Sequence, residues 1–131
     1  MGLNRDRAYL VLGFDFMTPS TIKTRFVIFA GARSGSTALT ATLNTHPDVY
    51  CHGHPFFQNH KRVSALRAPA EDVIDLAKRE SEPVGYVYDV LNYTPGPSVV
   101  GFKIWRGDHH GGQEAIDALA ADPRIKKIIL N

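Results

Sequence analysis

The stretch Phe26-Val27-Ile28-Phe29-Ala30-Gly31-Ala32-Arg33-Ser34-Gly35-Ser36-Thr37 decides how the chain is read. Phe26 to Ala30 form a continuous apolar run rich in β-formers, which suits a strand covered on both faces in the middle of a parallel sheet. Small residues then break the run. Residues 36–44 follow with helical spacing, Leu39 and Leu43 lying one turn apart. Pro47 ends this helix, because it pushes His46 out of helical geometry. The unit is strand, glycine loop, helix. A helix that starts straight after such a loop presents unpaired backbone N–H groups and a positive dipole end, which together attract an anion. Ser34, Ser36 and Thr37 add hydroxyl donors. Arg33 adds a permanent charge and a planar fork matched to phosphate or sulfate oxygens.

The loop is not a Walker A loop. With Gly35 on the second glycine of that pattern, Ala30 stands at the first and Ser36 at the lysine, while Thr37 still matches. The missing lysine counts against Mg-nucleotide hydrolysis.

Working outward, residues 48–68 read mostly as loop. Residues 69–80 read as a helix with Pro69 in its first turn. Glu71 and Asp72 face the positive end of its dipole, and Lys78 and Arg79 the negative end. Val73, Leu76 and Ala77 make its apolar stripe. Residues 84–91 fit a strand or a short helix, and Pro95-Gly96-Pro97 is a break. Residues 99–104 read as a second buried strand, 113–121 as a short helix ended by Asp122-Pro123, and 127–130 as a third strand. Alternating strands and helices predict an α/β fold, a mainly parallel sheet flanked by helices. Upstream, residues 1–24 form an N-terminal segment in which Tyr9 to Phe14 fits a short strand.

The whole chain has 131 residues, 44% hydrophobic and 21% charged, which excludes disordered and low-complexity classes. Fifteen Lys+Arg against 13 Asp+Glu is too slight a bias to argue for a nucleic-acid partner or an anionic membrane. Cys51 stands alone, so no internal disulfide forms. No apolar run reaches the length of a membrane span and no leader is evident, so a cytoplasmic, reducing compartment is the default expectation.

Residues 26–37 resemble the first strand and 5′-phosphosulfate-binding loop of the sulfotransferase family, in which Arg or Lys precedes Ser-Gly-Thr/Ser-Thr. Leu43-Asn44-Thr45-His46-Pro47-Asp48-Val49 is similar to the "Leu-x-x-His-Pro-x-Val" ending of that helix in many bacterial and Golgi-type members. Residues 100–104 and 125–130 look like two later strands, so the likeness spans residues 25–130. It implies a P-loop-like sulfotransferase fold whose N-terminal part is residues 25–131. The donor implied is 3′-phosphoadenosine 5′-phosphosulfate (PAPS), and no metal is required. The sulfuryl group would pass to a hydroxyl or amine of a small-molecule or carbohydrate acceptor. Arg33, Ser34, Gly35, Ser36 and Thr37 would hold the 5′-phosphosulfate, with Arg33 also stabilising the leaving group. The family's 3′-phosphate contacts, an Arg after the strand matching residues 127–130 and a Ser in the next helix, fall beyond Asn131. The expectation is therefore of a chain incomplete at the C-terminus, completed by a missing segment or an oligomer partner.

Many relatives place a Glu base shortly after His-Pro-x-Val, in a Gly-Glu pair. Here His54 takes that place after Gly53. Histidine can do the same work because its pKa lies near neutrality. His54 is the candidate general base and His52 the weaker one. Cys51-His52-Gly53-His54 is too tight for paired metal ligands. His109-His110 follow a strand on the expected ligand side and read as an exposed polar loop or as acceptor-pocket lining. Lys103 alternates with Phe102 and Ile104 on a buried strand; it either reaches the sulfate site or snorkels at the sheet edge. Phe56-Phe57 and Trp105 fit an acceptor pocket, with core packing the better reading for Trp105. Two other functional classes remain beside the sulfotransferase: a truncated, non-catalytic domain that binds anions weakly, and a P-loop kinase or nucleotidase.

Overall fold

Ile28 on the central strand is fully buried, with Val27 beside it on the opposite face and also fully buried. A strand sealed on both sides needs neighbours on both edges and helices on both faces, and these are present. The structure, a computed structural model, describes residues 21–31, 35–56, 66–105 and 112–130. Strands β1 (Thr24–Ala30), β2 (Val49–His52), β3 (Val99–Trp105) and β4 (Ile125–Leu130) form one sheet in the order β2-β3-β1-β4. Every pairing is parallel, with Ile28 opposite Lys103 on one side and Ile128 on the other. The helices are α1 (Ser36–Leu43), α2 (Ala70–Val73), α3 (Lys78–Ser81), α4 (Pro83–Leu91) and α5 (Gly112–Ala121).

The two faces carry different helices. Leu39 and Leu43 of α1 pack with Phe26, Ile28, Ala30 and Cys51. On the opposite face, Val87, Val90 and Leu91 of α4 and Ala115 and Leu119 of α5 pack with Val27, Phe102 and Ile104. At Gly101, β3 lies against Phe26 of β1 with no room for a side chain. A Cβ there would meet the Phe26 carbonyl oxygen at 2.5 Å and the Phe26 ring at 2.6 Å.

The α/β class and the parallel sheet agree with the sequence reading; two local features differ from it, and a third decides between its alternatives. Residues 49–52, read as loop, are strand β2. Its outer edge is closed by a side chain: the Asn44 carboxamide accepts from Cys51 N–H (2.9 Å) and donates to Cys51 C=O (2.8 Å), as a neighbouring strand would. Arg67 also donates to Asn44 Oδ1 (2.7 Å). Second, residues 69–80 are not one helix. Ile74 is extended (φ −76°, ψ 135°), separating α2 from α3. Asp75 Oδ1 accepts the Ala77 N–H (3.0 Å), a local turn that competes with helix. The break turns Ile74 and Leu76 toward the core and leaves Val73 60% exposed. Third, residues 84–91 resolve as helix. Pro83 opens it, and Tyr86, Val87, Val90 and Leu91 bury one helical face. The expected strand at Tyr9 to Phe14 lies outside the described residues.

Candidate functional site

The chain leaves β1 through α1 on one face and leaves β3 through α5 on the other. Their carboxyl ends are adjacent and the helices that follow lie on opposite faces, the switch point at which ligands of open parallel sheets bind. Gly35, Ser36 and Thr37 lie on the β1 side of this point. Gly35 adopts φ 83°, ψ 12°, a left-handed conformation that glycine reaches without strain, and it lets the chain turn directly into α1. The first intrahelical bond runs from Leu39 N–H to Gly35 C=O (3.0 Å). The N–H groups of Ser36, Thr37 and Ala38 precede it and have no acceptor in the helix. Among the described residues no side chain caps α1, and its first turn carries no acidic residue. Its positive end is therefore uncompensated from within the helix. Ser36 is buried and Thr37 exposed. Arg33 and Ser34 lie outside the described residues.

Lys103 reaches this point from β3. It is 7% exposed, and its ammonium donates to Thr37 Oγ1 at 2.8 Å. Of the two alternatives for this lysine, the structure places it inward: β3 is an interior strand, and the side chain runs under α1 rather than out at an edge. Its Nζ lies 5.6 Å from the centre of the Trp105 ring, within cation–π range. Burial lowers its pKa. Cys51 is a neighbour, but burial pushes that thiol up to about 11, so it is protonated and supplies no counter-charge.

His54 follows the end of β2 and is 4% exposed. Its ring lies 5.0 Å from that of Trp105 and 6.2 Å from that of Phe56. Thr37, Lys103, Trp105 and His54 thus form one chain of contacts from the start of α1 to the candidate base. The sequence reading left Lys103 open; strand order, which a lone sequence does not display, is what makes it interior.

His52 is not available as a base. It is fully buried, and its Nδ1 accepts the Arg67 N–H (2.8 Å). Burial, helped by the Arg67 charge, lowers its pKa to about 4. It packs edge-on against Tyr50, whose hydroxyl donates to Arg67 C=O (2.8 Å) and accepts from Ala70 N–H (3.1 Å). This pair anchors residues 66–70 on β2. Phe56 belongs to the core. Phe57, His109 and His110 lie outside the described residues. Among the described residues, no three His, Cys, Asp or Glu side chains gather as a metal-binding group. Among them, too, no helix is long and apolar enough to cross a membrane.

At the opposite, amino end of the sheet a cavity of about 250 Å³ is lined by Arg25, Tyr88, Asn92, Asp122, Arg124 and Ile125. Its polar side chains bond to one another. Asp122 receives Arg124 Nε (3.0 Å) and NH2 (2.7 Å) and the Tyr88 hydroxyl (2.6 Å). Arg25 Nε donates to Asn92 Oδ1 (2.9 Å).

No family model matches the chain, and neither curated proteins nor solved structures yield a match.

Proposed function

We propose that the chain is the donor-binding part of a sulfotransferase, with the 5′-phosphosulfate of PAPS seated on the start of α1. The observation that carries this reading is the α1 N-terminus itself. It lies at the switch point of a parallel sheet, follows Arg33-Ser34-Gly35 and begins with Ser36-Thr37, and among the described residues neither a side-chain cap nor a first-turn carboxylate occupies its N–H groups. The P-loop-like assignment rests on this placement together with the sequence of the loop.

The chemistry is in-line. The oxygen or nitrogen of the acceptor attacks sulfur, the bond from sulfur to the bridging oxygen breaks, and negative charge develops on the departing 5′-phosphate. The N–H groups of α1 and the guanidinium of Arg33 stabilise that charge where it appears. His54 accepts the proton lost by the acceptor.

A second reading, a non-catalytic domain that binds anions weakly, is favoured by the 4% exposure of His54. A base so covered meets an acceptor only if Trp105 or Phe56 gives way.

Calorimetric titration with adenosine 3′,5′-bisphosphate, beside ADP and Mg-ATP, tests the proposal. Selective binding of the bisphosphate, abolished by Arg33→Ala, is the expected result. Preference for Mg-ATP would favour the kinase or nucleotidase reading. No binding by a folded chain would overturn the donor site.

A further inference from the structure

We propose that the cavity at the amino end of the sheet is a binding site for a small monocarboxylate, held by the guanidinium of Arg25 and the carboxamide of Asn92. The inference is independent of how the start of α1 is read.

The cavity forms where α4 ends over the beginnings of β1 and β4. Arg25 of β1 lies opposite Ile125 of β4 in the sheet register, and Asn92 is the residue at which α4 stops. With Tyr88, Asp122 and Arg124 they line about 250 Å³. Drug-sized sites run from about 300 Å³ upward, so this space suits a smaller ligand.

The donors and acceptors of the wall do not balance. A carboxylate has about four acceptor positions. Those of Asp122 are taken by Arg124 Nε (3.0 Å) and the Arg124 N–H (2.9 Å) on Oδ1, and by Arg124 NH2 (2.7 Å) and the Tyr88 hydroxyl (2.6 Å) on Oδ2. None remains for Arg25. Its Nε donates to Asn92 Oδ1 (2.9 Å), while its terminal N–H groups and the Asn92 NH2 have no acceptor among the described residues. No carboxylate there forms an ion pair with Arg25. Two guanidinium groups against one carboxylate leave the wall with a surplus positive charge.

The ligand class follows from this surplus. The spare groups are donors, so the ligand presents acceptors. The planar fork of a guanidinium matches the two oxygens of a carboxylate. A single negative charge balances the wall. A polyanion would leave charge facing the Asp122 carboxylate, which disfavours pyrophosphate here. Tyr88 and Ile125 give the wall an apolar part, which suits a ring or short chain behind the carboxylate.

The test titrates the chain with benzoate at low ionic strength, where an exposed charge is least screened, and follows the N–H signals of Arg25 and Asn92 by NMR. Benzamide, its neutral counterpart, and inorganic pyrophosphate are the controls. The expected result is saturable movement of these signals with benzoate and none with either control. Asn92→Asp sets a carboxylate against Arg25 Nε and balances the charge from within. It should weaken benzoate binding at least about tenfold with little change in the thermal midpoint. Arg25→Gln should abolish binding. No movement up to about 20 mM benzoate would overturn the proposal. So would equal movement with benzamide or pyrophosphate, or undiminished binding by Asn92→Asp. Should Arg25→Gln fail to fold, Asn92→Asp, a change at an exposed side chain, decides by the same criteria.

Discussion

The two ends of the sheet treat polar groups in opposite ways. At the amino end two carboxylates hold their partners closely. Asp122 takes Arg124 and Tyr88, and Asp48 takes both the N–H and the hydroxyl of Ser98, tying the starts of β2 and β3 together. Both carboxyl groups are held below the usual carboxylate range, Asp122 chiefly by Arg124 and Asp48 chiefly by the Ser98 hydroxyl. At the carboxyl end, among the described residues, no side chain caps the helix start and no carboxylate pairs with Lys103, while Ser36, His52 and His54 are buried. The cavity at the amino end thus has Arg124 paired with Asp122 and Arg25 bonded to the neutral Asn92 amide, while the described residues at the carboxyl end place a buried lysine beside a helix start.

Acid should separate the two ends, and this is the largest effect expected. The pKa of His52 is about 4 in the folded chain against 6.5 for a free imidazole, so the unfolded state binds more protons between those values. Stability should fall as pH drops from 6.5 to 4, by up to on the order of 3 kcal/mol. In chemical denaturation across that range, His52→Asn should flatten most of the slope. An unchanged slope would mean that His52 is not sealed as a neutral side chain. Next in size is Gly101→Ala, which forces β3 away from Phe26 and loosens both ends at once. A loss of about 1–3 kcal/mol, seen as a lower thermal midpoint, is expected. Asn44→Ala should act on the carboxyl end alone by uncovering the edge of β2. Its cost should be about 1–2 kcal/mol, with faster amide exchange at Cys51. The smallest effect belongs to the amino end. The contribution of Asp122 is present above the ordinary carboxylate pKa and is lost as pH falls below about 4. Asp122→Asn should weaken only that acid limb and leave the limb between pH 6.5 and 4 as it was.

What the sequence revealed follows from how each element is held. Strands β1, β3 and β4 are apolar runs, and α1 and α5 have helical spacing with clear stops, so local pattern suffices for them. β2 has no such run. Val49 to His52 are a strand because β3 pairs with one edge and Asn44 covers the other, contacts from distant parts of the chain. The stripe of Val73, Leu76 and Ala77 suggested one long helix, yet the Asp75 turn and the burial of Ile74 break it. At the site, Gly35, Ser36 and Thr37 were legible from loop composition. Lys103 was visible as a lysine within a buried strand, but its direction was not, since that depends on sheet order. His54 was legible by type and spacing, whereas its cover by Trp105 was not.

The most direct measurement is an amide-resolved NMR titration of the wild-type chain with pyrophosphate. The account predicts that the signals of Ser36 and Thr37 move while those of Asp122 and Arg124 stay in place. Shifts confined to the Arg25–Arg124 end, or none at the start of α1, would contradict it.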